Sequence, residues 1–461
     1  MTSQKQSQIT NEILQGNLVK LMFKLSFPGI VGMLLIGLNT FIDALFAGRL
    51  IGETALAAIS LALPLTSIAI GCAMSIGVGC ASILSRAIGA ENTKIQSKIF
   101  STLIILSIIV SSLITILAYI FGKQLIAFMG GEGEVASYGI DYFKTYMLGS
   151  TFLIIAVSSS QLIKAEGKIR LASLFTSIYV VTNIILNPIF VIIFDWGLQG
   201  IAFATVISAV VYSTINCIYF ISAKIFLPVN CKKLNIKLDL IALDLLPAIL
   251  SIALVTMISQ VTGILENVVL FKSIAYYGTD SDIAFGGATI RLYSLMISPF
   301  YGLAQALQPV VGMNHGANNY QRLKNAYLTF VIGGTIFLIL IWIPLQLFPR
   351  IFISWLIPDF NFTYNNLLNF HIVTFLLPLI SFVSCSIQFF KAIGNAKIAG
   401  VITLMRQIIL FLPILLILPI FFGVSGIYYG YASVDLLFTL IVALFTWIEF
   451  RKIYFRSISK R

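Results

Sequence analysis

Apolar residues run through this chain in long stretches, and polar residues gather in short clusters between them. The stretches lie near 18–47, 54–84, 99–122, 137–163, 171–194 and 198–222. They recur near 242–272, 283–312, 325–348, 366–390, 398–422 and 426–450. About 20 apolar residues suffice for a helix to cross a hydrocarbon core of roughly 30 Å, so each stretch is a candidate span. Backbone polar groups in lipid must bond within their own segment, which predicts helices. A membrane barrel would instead show alternating strands of about ten residues. The pattern predicts an all-α polytopic membrane protein with about twelve transmembrane helices. Residues 13–24 read equally as a separate interfacial helix or as the start of the first span.

The polar clusters repeat. Gln161-Leu-Ile-Lys164-Ala165-Glu-Gly167 returns 227 positions later as Gln388-Phe-Phe-Lys391-Ala392-Ile-Gly394. The same offset relates Gly89-Ala90-Glu-Asn92 to Gly316-Ala317-Asn-Asn319. An offset of 226 relates Gly197-Leu-Gln-Gly200-Ile201 to Gly423-Val-Ser-Gly426-Ile427. The chain therefore divides into two pseudo-symmetric six-helix lobes, residues 1–222 and 242–461. Residues 223–241, with Lys224, Lys232, Lys233 and Lys237, form a cytoplasmic linker between them. Duplication in so apolar a chain points to a transporter whose halves move around a shared site.

Composition sharpens this. Of 461 residues, 59% are hydrophobic and 10% charged, against about 25% charged in soluble domains. Such a chain has too little polar surface to be soluble. Its net charge of +12 does not mark nucleic-acid binding, because the basic residues sit between spans and not on one face. Lys272, Arg291 and Arg406 fall inside spans, and Arg49, Lys123, Lys144 and Arg350 lie on one side of the membrane. Every other lysine and arginine falls on the side of the two termini, which predicts cytoplasmic termini in the inner membrane. Lys164 and Lys391, at equivalent helix ends, are expected to anchor to the lipid surface. The five cysteines, Cys72, Cys80, Cys217, Cys231 and Cys385, show no metal or disulfide spacing. The first seventeen residues hold no cleavable signal pattern, so the first span is retained. No phosphate-binding loop or catalytic motif supports an enzyme.

Among the carboxylates inside spans, Asp43, Glu266 and Asp435 are singled out, because a charge there costs about 2.5–3.5 kcal/mol even on a lenient scale. Asn39 lies four residues before Asp43, on the same helical face. A carboxylate in a partly dry cavity takes up a proton nearer neutral pH, and so can carry a proton or sodium across. The bland reading is an aspartate held in interfacial water or by a neighbouring helix, and both stay open. Pro28 removes a backbone donor and can kink the first span. Asn183 and Asn187, again four apart and followed by Pro188, share a face, and Thr205 lies early in the next span. With Asp43 they make a plausible cation site, unless they only hydrogen-bond between helices. Glu266, followed by Asn267, falls near the counterpart of Asn39, and Lys272, Arg291 or Arg406 is placed to neutralise it. Asp435 falls opposite Ala209 and has no acidic counterpart. His315 and His371 are too isolated for a proton relay.

Several runs resemble the MATE (multidrug and toxic compound extrusion) family, closest to its bacterial DinF-like and MepA-like members. They are Phe27-Pro28-Gly29-Ile30, Asn39-Thr-Phe-Ile-Asp43-Ala-Leu-Phe46-Ala47-Gly48 and Ala55-Leu56-Ala57-Ala58 with Pro64. Ser85-Arg86-Ala87-Ile88-Gly89-Ala90 and Gln305-Ala-Leu-Gln308-Pro309-Val-Val-Gly312-Met-Asn314-His-Gly316-Ala317 complete the likeness. The resemblance implies cation-coupled export of amphipathic, often cationic compounds by alternating access, with no prosthetic cofactor. It implies a coupling proton or sodium in the N-lobe at Asp43, Asn183 and Thr205, and a kink at Pro28. Where DinF-like members often carry an aspartate this chain has Asn187, so one carboxylate remains, and a proton is preferred over sodium, or coupling relies partly on Glu266. Glu266 resembles the seventh-helix acid of NorM-like members. The expectation is a monomeric inner-membrane antiporter of small amphipathic molecules. The alternatives are a flippase for a lipid-linked precursor, which Arg291 and Lys272 keep open, and a membrane sensor without flux.

Overall fold

The computed structural model describes residues 2–222, 243–357 and 360–458. The linker expected at 223–241, with its four lysines and Cys231, lies outside the described residues. All regular elements described are helical. The first half holds α1 (Thr2–Gln15), α2 (Leu18–Phe46), α3 (Glu53–Gly89), α4 (Thr93–Phe128), α5 (Gly133–Leu148), α6 (Ser150–Ala165), α7 (Ile169–Pro188) and α8 (Gly197–Ser222). The second holds α9 (Leu246–Tyr277), α10 (Asp280–Gly316), α11 (Tyr320–Leu347), α12 (Pro349–Ser354), α13 (Tyr364–Phe375), α14 (Ile380–Ala392), α15 (Ala396–Leu404), α16 (Leu412–Phe422) and α17 (Val424–Ile458).

Among the described residues, 11 helical segments are long and apolar enough to cross a membrane, or 12 when the bent pair α5 and α6 counts as one span. That pair corrects the expected fourth span, 137–163. It is two helices meeting at 56°. The break falls at Gly149, where a Cβ would stand 2.4 Å from the Val206 side chain of α8. A second correction concerns residues 13–24. The separate helix is α1, ending at Gln15, and Leu18 already begins the first span. The boundary is set by Asn17, whose side chain accepts from the backbone N–H of Val19 and Lys20 and so caps α2.

The repeat is visible in the backbone. Gly167 and Gly394 both have φ of +80°, ending α6 and α14 in the left-handed region that glycine tolerates. Glu91 and Asn318 occupy equivalent turns at φ 54° and 57°. Asn92 and Asn319 then cap α4 and α11 through bonds to the N–H of Ile95 and Arg322.

Packing is not uniform along the membrane normal. On the side of the termini, one buried apolar core joins both lobes, with Leu84, Ile163 and Ala172 beside Ile249, Leu307 and Phe389, and within the C-lobe it continues to Phe285 and Ile353 at the far end. In the far half each lobe has its own core. One holds Ala58, Ile126 and Tyr142, the other Leu270, Phe411 and Val434. The seam near the termini is backbone against backbone. A Cβ on Gly89 would stand 1.9 Å from the Met313 carbonyl oxygen, and one on Gly316 would stand 2.0 Å from that of Arg86. Gly29 and Gly302 also cross closely, a Cβ on either standing 2.6 or 2.4 Å from the other's backbone. Small residues permit such close approach where water-driven apolar burial offers nothing between helices in lipid. Near the middle of their spans Gly37 and Gly263 face open space.

Lys164 and Lys391 do not anchor to lipid, contrary to expectation. Lys164 Nζ donates to Gln305 Oε1 of the opposite lobe at 3.0 Å. Lys391 is buried, and its carbonyl accepts from Ser82 Oγ across the seam at 2.5 Å. Their helix ends meet the other lobe and so are buried by it.

Helix α1 lies across the same seam. Ile13 is fully buried, and its side chain with that of Ile9 fills the space over Gly167 in the N-lobe. Glu12 pairs with Lys24 of α2 at 2.5 Å. On the C-lobe side, Arg322 donates to the carbonyls of Ile13 at 2.9 Å and Gly16 at 2.5 Å. Arg322 thus satisfies carbonyls that the end of α1 leaves open.

Candidate functional site

Two polar clusters carry Asp43 in one lobe and Glu266 with Asp435 in the other. The N-lobe cluster is built on α2, α7 and α8. Asn187 Nδ2 donates to Asp43 Oδ1 at 2.7 Å and to Asn183 Oδ1 at 3.0 Å. Asn39 Nδ2 donates to Asp43 Oδ2 at 3.3 Å, and Asn183 Nδ2 donates to Thr205 Oγ1 at 3.1 Å. Asn39, Asn183, Asn187 and Thr205 are buried, and Asp43 is half-buried. All five residues picked from the sequence therefore share one network. Two amide oxygens, Asn39 Oδ1 and Asn187 Oδ1, are buried without a hydrogen-bond partner. A buried acceptor left unpaired is costly. Beside a carboxylate, these oxygens form a set suited to a hard monovalent cation or to the O–H of a protonated Asp43. Three His, Cys, Asp or Glu side chains able to hold a metal together do not occur among the described residues.

The helices change form where they carry this network. A π-helical turn, Ala47–Ile51, follows Asp43 within four residues, and another, Ile189–Ile193, follows Asn187-Pro188. Such turns leave one backbone bond out of register and are frequent at functional sites. Helix α2 runs unbroken through Pro28, whose carbonyl accepts from Ser173 Oγ of α7 at 2.5 Å. Tyr142, Tyr146 and Tyr179 lie within electrostatic reach of Asp43. Their one mark along the chain is the spacing of four between Tyr142 and Tyr146 on α5. Where 13% of residues are aromatic, that spacing singles out nothing.

The C-lobe cluster adds Asp435 to a pairing of Glu266 with Arg406 that was one of three open in the sequence. Arg406 donates to Glu266 of α9 and, at 3.3 Å, to Asp435 Oδ1 of α17. Gln407 donates to the same Glu266 oxygen. Arg406 and Gln407 ride on a third π-helical segment, Met405–Phe411. Of the basic residues placed near Glu266 by sequence, Arg406 makes the pair, while Lys272 and Arg291 are exposed. His371 bonds to Gln346 at 2.8 Å.

Residues 28–189 and 247–417 match the MatE family, covering most of both lobes. The chain belongs to the MatE family. Its members are membrane transporters and not enzymes. The multidrug export protein MepA of Staphylococcus aureus (strain MSSA476) is 26% identical over 432 residues, 93% of each chain. The FAD transporter of Shewanella oneidensis is 27% identical over 349 residues, 73% of this chain and 74% of its own. A solved MOP-superfamily transporter from Pyrococcus furiosus shares the fold, with a TM-score of 0.86 at 23% identity over 96% of this chain and 98% of its own. The MatE match spans both polar clusters except Asp435 and Thr205, which lie on the last helix of each lobe, outside the matched stretches.

Proposed function

We propose that this MatE transporter is a monomeric antiporter that exports amphipathic, often cationic small molecules from the cell across the inner membrane. A cation moving inward through the N-lobe drives it. Asp43 holds that cation with Asn39, Asn183, Asn187 and Thr205. The observation that carries this reading is the single carboxylate beside two buried amide oxygens that lack partners. A proton is the preferred ion, because one carboxylate neutralises one proton fully, whereas sodium favours more oxygen charge than Asp43 supplies alone. Sodium at Asp43, Asn183 and Thr205 is the second possibility. The name of the Staphylococcus relative supports drug export. The flippase reading draws no support from these relatives.

Residues 1–222 and 242–461 act as the two moving lobes, joined by 223–241, with both termini in the cytoplasm. The seam closed near the termini and the separate cores beyond it fit an outward-facing state. Alternating access then requires the seam to open and the far halves to meet. Cation and substrate each shift the lobes only by their difference in affinity between the two states.

The deciding experiment uses the full chain in proteoliposomes loaded with a fluorescent cationic dye. A proton gradient alone should drive dye movement, and a sodium gradient alone should not. Flux driven only by sodium overturns the proton. Equal rates with and without either gradient overturn coupling, and failure of dye counterflow overturns transport of this substrate class.

A further inference from the structure

The two polar clusters stand on equivalent helices of the duplicated chain. In the N-lobe they are α2, α7 and α8. In the C-lobe they are α9, the segment after α15, and α17. Glu266 falls opposite Asn39 at an offset of 227, and Tyr431 and Asp435 fall opposite Thr205 and Ala209 at 226. Equivalent helices of the two halves thus carry two different sites. The N-lobe site keeps buried oxygens without partners and, among the described residues, no cationic side chain bonded to its carboxylate. In the C-lobe site no oxygen of Glu266 or Asp435 is left buried and unpartnered. Arg406 bonds both acids, Gln407 reinforces Glu266, and the guanidinium lies 5.7 Å from the centre of the Phe438 ring.

We propose that Arg406 is a tethered cation. Its guanidinium fills the C-lobe counterpart of the N-lobe cation site, so that a chain with two equivalent sites couples to one mobile cation. The inference rests on the reading of Asp43 as the coupling residue. A guanidinium cannot be deprotonated in a protein, and a covalent tether prevents it from leaving on either side. It therefore stabilises two carboxylates in the membrane without entering the transport stoichiometry. The cluster keeps one negative charge in excess, the same as the single charge of Asp43. What distinguishes the two sites is the identity of the cation present, not their net charge.

That point sets the test. Cations bound per purified full-length protein are counted with radioactive sodium at mildly alkaline pH, and protons by potentiometric titration. Wild type should bind one equivalent, lost in Asp43→Asn. Arg406→Gln should bind a second, which survives in Asp43→Asn/Arg406→Gln and disappears when Glu266→Gln is added. Arg406→Gln/Asp435→Asn removes the tether while conserving net charge, so it guards against a variant that fails to fold. It too should gain one equivalent. Arg406→Lys keeps a tethered charge and should count as wild type. The proposal is overturned if neither Arg406→Gln variant gains a cation. It is also overturned if Asp43→Asn retains a cation that Glu266→Gln abolishes, because the C-lobe site would then hold a mobile ion beside its arginine. A cation retained in Asp43→Asn but untouched by Glu266→Gln overturns the Asp43 reading instead, and the Arg406→Gln count still decides the tether.

Discussion

Asp43 makes its strongest bond, at 2.7 Å, to an amide where a second acid would give a harder cation site. Two predictions belong at this scale. Asp43→Asn should reduce gradient-driven efflux in proteoliposomes to the level of empty liposomes, while elution of the purified protein stays monodisperse. Asn187→Asp should raise sodium affinity by about tenfold or more, worth about 1.4 kcal/mol per decade, and make sodium-driven flux measurable. Unchanged sodium binding would mean that Asn187 does not face the ion. Asp43, Asn39, Asn183 and Asn187 were legible in the sequence because a spacing of four fixes a shared helical face. Thr205 was legible only as a polar residue near them. The Glu266–Arg406–Asp435 cluster was legible as parts. Its assembly depends on three helices converging, and a single chain read in order does not carry that.

At the scale of elements, a membrane helix is stable by its own hydrogen bonds, so what bends it is packing. The twelve spans followed from apolar length alone. The break at Gly149 did not, because glycine is common here (33 residues) and only the approach of Val206 makes this one a corner. A β-branched valine has little rotamer freedom with which to yield. Gly149→Ala should therefore cost about 1–3 kcal/mol, read as a lower midpoint in a thermal-shift assay. Val206→Ala combined with it should recover most of the loss, and additive losses would show that the two side chains do not meet. The three π-helical turns were equally invisible to hydropathy, which does not change across them.

At the scale of the whole molecule, the repeat predicted two lobes, and the structure shows where the copies part company. The turn at Gly394 is covered by Arg86, and the equivalent turn at Gly167 is covered by Ile9 and Ile13 of α1. An element outside the repeat thus fills one of two matching slots, and Arg322 fastens it to the other lobe. Hydrogen bonds from a charged donor contribute about 1.5–3 kcal/mol each. Arg322→Gln should accordingly shift the lobes toward the state open near the termini by about tenfold or more. Spin-label distances across the seam should lengthen, and an unchanged distribution would mean that α1 rides with one lobe. If α1 spans a seam that opens once per cycle, then its release marks each turnover. A protease supplied on the side of the termini should clip the leading segment faster in a working transporter than in an idle one, making the cut rate a clock for the cycle.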